Sequence, residues 1–309
     1  MRTQRYTYGF SRSDARKAMT RPLRTLVLLF ALLTVGCAHV PVPGAPIDTK
    51  LGAMTFNIRL DIASDGPNAW PDRRELVRDL IRHEAPAILG MQEVLLHQKR
   101  YLKEVLPEYT FIGAGRDDGA AAGEFSPLAW RSDLFDLVES GTFWLSPTPD
   151  VPGKGWDAAY RRIATWAILL RREGGGKLRV LNTHFDNAGI SSRNNSARLI
   201  RDWVITGTGA DLPTIMLGDF NADPGSEAYT TLTGGPLTDS RDVSQADPYG
   251  PKGTFTGFDI TQGSTSPIDH ILLTPDVRVV SHAVVTQHWA GRLPSDHYPV
   301  VVQFLLPRN

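Results

Sequence analysis

The stretch Leu212-Pro213-Thr214-Ile215-Met216-Leu217-Gly218-Asp219-Phe220-Asn221-Ala222-Asp223-Pro224-Gly225 changes character at Gly218. Leu212 to Leu217 reads as a strand, and the residues beyond Gly218 are polar and chemically capable. Asp219 and Asn221 lie two apart, so on an extended chain their side chains point the same way. A carboxylate beside a neutral amide holds a water or a phosphoryl oxygen without doubling the negative charge. Taken alone, Asp-Phe-Asn-Ala-Asp-Pro-Gly reads better as a plain turn, because Asp, Asn, Pro and Gly dominate turns. Recurrence decides between the two readings.

The same junction of apolar strand and polar end appears in Phe56-Asn57, Gln92-Glu93, Asn182-Thr183-His184, Ile268-Asp269 and Ser295-Asp296-His297. The strands beside them read as Leu51 to Ile58, Ala87 to Gln92, Lys177 to Thr183, Ile268 to Leu273 and Pro299 to Leu306. Rigid scaffolds present functional groups at strand ends, and titratable groups concentrated in one cleft mark a site. Thr165 to Arg171 forms a hairpin with Lys177 to Thr183 around Gly174-Gly175-Gly176, and Val277 to Val285 is a further strand. Pro71 to Glu84 reads as a helix with Leu76, Val77, Leu80 and Ile81 on one face, stopped by Pro86. Ser192 to Thr206 is a second, turning Leu199, Ile200, Trp203 and Val204 inward and ending at Gly207. Strands and helices in this mixture predict an α/β chain of packed sheets flanked by helices.

Lys and Arg number 33, as do Asp and Glu, so no net charge draws the 309-residue chain to a polyanion. A duplex-DNA binder ordinarily carries a basic face. An apolar share of 41% supplies a sizeable core. Cys37 is the single cysteine, which excludes an internal disulfide and a cysteine-built zinc site. Arg16, Lys17, Arg21 and Arg24 precede the apolar run Leu26 to Leu33, and small residues lead on to Gly36-Cys37. That is the anatomy of a secretory signal, the run falling short of the roughly 20 apolar residues a spanning helix needs. Leu33-Thr34-Val35-Gly36-Cys37 resembles a bacterial lipobox, with Thr34 where that pattern usually has Leu. An ordinary cleaved signal or an uncleaved anchor shares the anatomy, and Met19 is an alternative start. The expectation is an exported lipoprotein held to the membrane, on its periplasmic or cell-surface side, by lipidated Cys37. Residues 1–37 are then the signal and lipobox region, 38–50 a Pro-rich tether, and 51–309 one domain without a second linker or repeat.

Within that domain Glu93 suits a hard cation such as Mg²⁺, which takes oxygen ligands, often one or two carboxylates with water and phosphate. Asp296-His297 adds a second carboxylate and a candidate base, since an imidazole near its free pKa accepts a proton near neutral pH. Asp269 is a candidate to orient that imidazole, as in a hydrolytic triad. His39, His83, His97, His270, His282 and His288 lack such settings and read as structural. Trp144, Trp156, Tyr160 and Trp166 share the middle segment with Arg116, Arg161 and Arg162, a combination able to stack a base and grip phosphates. Trp166 lies inside a strand and reads as core; Trp156, in a Gly-rich loop, is open to either role. No His-Glu-x-x-His stretch supports a zinc peptidase, and the carboxylate-heavy inventory suits Mg²⁺ better than zinc.

Met54-Thr55-Phe56-Asn57-Ile58, Gly90-Met91-Gln92-Glu93-Val94, Asn182-Thr183-His184-Phe185-Asp186, Gly218-Asp219-Phe220-Asn221, Ile268-Asp269 and Ser295-Asp296-His297-Tyr298-Pro299-Val300 resemble, in order, the hallmark motifs of the endonuclease/exonuclease/phosphatase superfamily, the deoxyribonuclease-I-like fold. Each segment is short; the ordered set, spanning nearly all the chain from Leu51 onward, is specific. Gly115-Arg116-Asp117-Asp118-Gly119, Gly155-Trp156-Asp157-Ala158-Ala159 and Arg162 look like a bacterial exported subgroup. The resemblance implies a four-layer α/β sandwich, two packed mixed β-sheets flanked by helices. It also implies a Mg²⁺- or Mn²⁺-dependent hydrolase that cleaves phosphate esters with an activated water. Glu93 would then be a metal ligand, with Asn57 and Asp296 close to the ion. His297, oriented by Asp269, would generate or position the attacking water, which Asp219 would hold. Asn221 would bind phosphoryl oxygens, and His184, partnered by Glu124, would contact the phosphate or the leaving-group side. Arg116, Trp156 and Arg162 are candidate substrate contacts. His270 departs from the family, which more often has Tyr there.

Nucleotides, nucleic-acid ends, sugar phosphates and phospholipid headgroups all fit as substrates; neutral charge and a tether lean towards a small phosphoester. The rival reading is a catalytically inactive surface binding lipoprotein of the same fold. Intact Asp219, Asn221, Asp269, Asp296 and His297 speak against it, because a binder has no need of that chemistry.

Overall fold

Alternation along the strands sorts this chain into layers. A computed structural model describes residues 50–261 and 267–307; the expected signal, lipobox with Cys37 and tether up to residue 49 lie outside them. In chain order the elements are β1 (Leu51–Asn57), α1 (Trp70–Glu84), β2 (Ile88–Gln92), α2 (Leu96–Val105), β3 (Tyr109–Ile112), β4 (Leu128–Arg131), β5 (Phe135–Trp144) and β6 (Ile163–Arg171). Next come β7 (Lys177–His184), α3 (Ile190–Thr206), β8 (Thr214–Asp219), α4 (Glu227–Thr233), β9 (Thr238–Asp239), β10 (Asp269–Leu273), β11 (Arg278–Val284) and β12 (Val300–Leu305). Among the described residues no helix is long and apolar enough to cross a membrane.

Leu51 and Ala53 of β1 enter a core shared with Leu178, Val180, Ile215 and Leu217. Met54 and Phe56, on the other face, lie under Val77, Leu80 and Ile81 of α1. Leu181 and Met216 repeat the arrangement beneath Ala197, Ile200 and Val204 of α3. Leu80 is 1% exposed, and truncating such a side chain to Ala costs about 2–5 kcal/mol. The outcome is the four-layer sandwich, two mixed six-stranded sheets flanked by helices. The sheets run β11-β12-β1-β2-β4-β3 and β5-β6-β7-β8-β10-β9.

Each sheet holds one parallel pair at its centre, β1 with β2 and β7 with β8, and the connecting crossover contains a helix, α1 or α3. The sheets come close at Gly90, where a Cβ would stand 2.7 Å from Asn182 Oδ1 and 2.9 Å from Leu217 Cβ. Beside it a buried amide pair crosses between them. Gln92 Nε2 donates to Asn182 Oδ1 (2.7 Å), and Asn182 Nδ2 donates to the carbonyls of Met91 (2.7 Å) and Pro127 (2.9 Å). These bonds fix one sheet on the other, while Gln92 Oε1 is buried without a partner.

Six elements were not evident from periodicity: β3, β4, β9 and α4 are only two to seven residues long, too short to show a period, and β5 and α2 hide theirs for other reasons. The middle of β5 is exposed and bulges against β6 between Leu137 and Glu139, which breaks the alternation. In α2 only Gln98 and Leu102 are fully buried, so its apolar stripe is narrow.

Candidate active site

Direction of travel assembles the site. β10 is antiparallel to β8 and β12 to β1, so their amino ends meet the carboxyl ends of β1, β2, β7 and β8 at one edge. Asp219 faces Asp269 across one strand pair and His184 across the other. His297 Nδ1 lies 2.8 Å from Asp269 Oδ2, and its Nε2 is 3.8 Å from Asp219 Oδ2. Asn57 Nδ2 donates to Glu93 Oε1 and to Asp219 Oδ2, each at 3.0 Å. Its Oδ1 accepts from the Arg59 N–H at 3.0 Å, so Asn57 bridges the carboxylates of the two sheets and its oxygen is already engaged.

Two loops carry the rest. Ser295 Oγ donates to the Asn57 carbonyl at 2.6 Å, tying the segment before Asp296 and His297 to the end of β1. Buried Arg73 of α1 donates to the carbonyls of Ile58, Arg59, Leu60 and Pro294, fastening both loops with one guanidinium. Burial pushes that group down to about 10. Arg73 and Arg59 escaped the sequence reading. An arginine that works through distant carbonyls leaves no local pattern, although Arg59 stands only two residues beyond Asn57.

Several expectations change in detail. β8 ends at Asp219, and Asn221 has φ +44°, so the pair does not share a face of an extended chain. A tight turn aligns them instead: the Asn221 N–H bonds Asp219 Oδ1 (2.9 Å), and its Nδ2 reaches His184 Nε2 (3.1 Å). Asn tolerates that backbone better than most residues. Glu124 is not closely paired with His184. Its Oε2 is 4.0 Å from His184 Nδ1, while Arg116 grips the carboxylate at 2.8 and 2.7 Å in the two-pronged geometry that favours arginine. Trp156 is 39% exposed and does not line the cavity. Its neighbour Asp157 accepts from the Ser191 and Ser192 N–H groups and so caps α3. Arg116 sits one layer back, 5.0 Å beneath the Tyr160 ring.

The cavity above these groups holds about 530 Å³. Glu124, Tyr160, Arg162 and Asn187 give its lining a polar part, and Ile62 and Phe255 contribute apolar surface. Arg162 bonds Asp186 through Nε (3.2 Å) and Asn187 through Nη2 (3.1 Å), while Nη1 is buried without a partner. A model of the Endonuclease/Exonuclease/phosphatase family matches residues 54–297 of this chain, from the first motif to His297. The chain belongs to that family.

Endonuclease/exonuclease/phosphatase proteins hydrolyse phosphate esters. A member from Bacteroides thetaiotaomicron superimposes with a TM-score of 0.81 at 36% identity, over 84% of this chain and 99% of that one. The mannosyl-6-phosphatase of the same organism gives 0.79 at 37% identity, over 83% and 100%. An uncharacterized protein of Acanthamoeba polyphaga mimivirus is 29% identical over 161 residues, and the chain spans 60% of the length of that curated relative.

Burial and charge set the protonation states of this family site. Burial alone would lower His297, but Asp269, Asp219 and Asp296 outweigh it and push the imidazole up to about 10. His297 is therefore a cation at neutral pH, not the neutral base its free pKa suggested. Burial and the facing charge of Asp269 raise Asp219 to about 7. Burial, aided by Arg162, Arg116 and His297, holds His184 well below its ordinary value, so it is neutral. Burial also raises Asp296 and Glu124. Ligand atoms of Asp219, Asp269 and His297 lie within 4.8 Å of one another, a buried group that fits metal binding through its two carboxylates, since a protonated His297 offers no lone pair. Neighbouring groups driven apart in pKa are the pattern of an acid–base site.

Proposed function

We propose that this chain is a Mg²⁺- or Mn²⁺-dependent phosphatase of small phosphomonoesters, with sugar phosphates as its substrate class. The observation that carries the reading is the row Asp269–His297–Asp219 at the base of a concave cavity, holding a cation beside a carboxylate poised near neutrality. A binding protein of this fold would have no use for such an arrangement.

The donor set fits the ion. Glu93 and Asp296, with Asp219 nearby, offer the hard oxygens that Mg²⁺ and Mn²⁺ take. When bound, the ion polarises a phosphoryl oxygen and offsets the charge that builds in the transition state. Asp219 accepts the proton of the attacking water, and Asn57 Nδ2 holds that carboxylate in place. Asp269 keeps the His297 ring charged and oriented, so its Nε2–H faces the phosphoryl oxygens. Asn221 Nδ2 is engaged with His184 Nε2 and the Phe185 carbonyl, both at 3.1 Å, so it positions His184 rather than offering a free donor. A preorganised donor such as the His297 Nε2–H stabilises charge before it forms.

A cavity of this size takes a small ester more readily than a duplex. Carboxylate, guanidinium, amide and phenol in its lining pair with hydroxyl groups, and the 37% identity to a mannosyl-6-phosphatase points to the same class. The basic, apolar and Gly36-Cys37 segments support export and a lipid tether, tested by whether Cys37→Ala frees the protein from the membrane fraction.

Phosphate release decides the main reading. The full chain would be given sugar phosphates, nucleotides, inositol phosphates, phospholipids, RNA and plasmid DNA, with Mg²⁺, with Mn²⁺ and with chelator. The expected result is hydrolysis of sugar phosphates that chelator, Asp219→Ala and His297→Ala each abolish. Activity surviving chelator or both variants refutes the site assignment; cleavage confined to DNA refutes the substrate class.

A further inference from the structure

The loop after β1 is built around a charge that the reaction, as derived above, does not use. Arg59 has φ +56°, a backbone that side-chain-bearing residues adopt at a cost and that gathers at functional sites. Its N–H is spent on Asn57 Oδ1 and its carbonyl on Arg73 Nη2 (2.8 Å). With its backbone held this way, its side chain lines the cavity. Asp65 grips the guanidinium through Nε and Nη2, both at 3.0 Å. Nη1 lies 3.8 Å from Glu93 Oε2, and Nε lies 3.7 Å from Asp296 Oδ2. The two carboxylates assigned above to a divalent ion therefore already share a resident cation.

We propose that Arg59 competes with the divalent ion: it weakens ion binding to the free protein and makes ion and phosphate bind cooperatively. The inference rests on the metal-dependent reading above. A guanidinium cannot lose its proton to relieve the repulsion, and charges a few ångströms apart in a half-buried wall interact far more strongly than in water. Asp65 offsets part of the Arg59 charge from the far side. A phosphate between Arg59 and the ion turns their mutual repulsion into shared attraction. The coupling is reciprocal, so whatever phosphate adds to ion affinity the ion adds to phosphate affinity. An enzyme built this way holds its ion firmly only with substrate present.

Mn²⁺ binding to the full chain, read from the loss of the free Mn²⁺ paramagnetic resonance signal with and without inorganic phosphate, tests this directly. Arg59→Gln should bind Mn²⁺ about tenfold more tightly than the parent protein when phosphate is absent. The gain in affinity that phosphate brings should shrink severalfold in the same variant. Asp65→Asn, which leaves the Arg59 charge uncompensated, should weaken Mn²⁺ binding. A pair that merely braces the loop would shift both variants the same way. Unchanged or weaker binding by folded Arg59→Gln, beside a parent protein that binds Mn²⁺, overturns the inference alone. A parent protein that binds no Mn²⁺ overturns it together with the metal-dependent reading, which chelator-sensitive hydrolysis reports separately.

Discussion

Asp269 and His270 are neighbours on β10, and each belongs to a different buried histidine–aspartate pair. Asp269 holds His297 and Asp239 holds His270, both with Nδ1–Oδ2 distances of 2.8 Å. Consecutive residues of a strand face opposite ways, so one pair opens to the site and the other to the helix side. The far nitrogen makes the difference. His270 Nε2 is closed by the carbonyls of Ala222 and Pro267, both at 3.2 Å, and its ring stacks on Phe220. His297 Nε2 meets only Asn57 at 3.5 Å and Asp219 at 3.8 Å, and the residue lines the cavity. A charged imidazole does chemistry where its outer N–H reaches a substrate, and braces the fold where backbone oxygens have claimed it.

Exchanging the histidines should break that comparison if it is mistaken. His297→Ala is expected to lower kcat/KM about 10³-fold, within the range for positioned acid–base groups, measured by phosphate release per folded molecule. His270→Asn should leave the same quantity nearly unchanged. Comparable losses in both would erase the distinction. Asp239→Asn should act on stability instead. With acceptors at both ring nitrogens His270 is charged, so removing its carboxylate strands a buried cation. Breaking such a pair costs about 3–5 kcal/mol, read as a lower urea midpoint with kcat retained.

His282 sharpens the point from the side of an unpaired ring. Burial pushes it down to about 4, and a hydrogen bond between its Nδ1 and Ser240 (3.0 Å) does not replace a carboxylate. A base with a depressed folded pKa is held neutral, so its contribution is full above pH 6.5 and is lost as pH falls towards 4. The slope amounts to about 3 kcal/mol over that window, and His282→Asn should flatten it in urea unfolding at a series of pH values. The His270–Asp239 pair should give no slope there. His270 is raised despite burial, by Asp239, so its stabilisation fades only as pH rises through that higher pKa. Asp239 is lowered, against burial, by His270, so its own fades only below the ordinary carboxylate range.

Much of the site was legible because its chemistry sits where apolar runs turn polar. Asn57, Glu93, His184, Asp219, Asp269, Asp296 and His297 meet at one edge because strand direction is a consequence of the same runs. The hidden part depends on conformation or on distant partners. The left-handed backbones of Arg59, Glu93 and Asn221 leave no residue-type signal of the kind glycine gives. Arg73 works through four carbonyls, one of them more than two hundred positions away. Glu124 is within reach of His184, yet an arginine eight residues earlier outbids it with two hydrogen bonds. Spacing shows which groups approach; competition among them is settled by geometry.

The smallest effect extends the comparison from imidazoles to guanidiniums. Arg179 is fully closed: Nε bonds Thr214 Oγ1 (2.9 Å), Nη1 the Thr208 carbonyl (3.2 Å) and Nη2 the Val204 carbonyl (2.7 Å). Arg162 is held almost as firmly by Asp186 and Asn187, but its Nη1 has no partner and the residue lines the cavity. By the same reasoning Arg162 is expected to touch substrate and Arg179 is not. Lysine keeps the charge and loses the fork, so Arg162→Lys should raise KM about tenfold with kcat little changed, the mark of an interaction equal in ground and transition states. Arg179→Lys should leave KM alone and lower stability by about 1–2 kcal/mol through its lost carbonyl bonds. Should Arg162→Lys lower kcat instead, the free nitrogen reaches the phosphoryl group rather than the leaving sugar, and the polar part of the lining belongs to the chemistry.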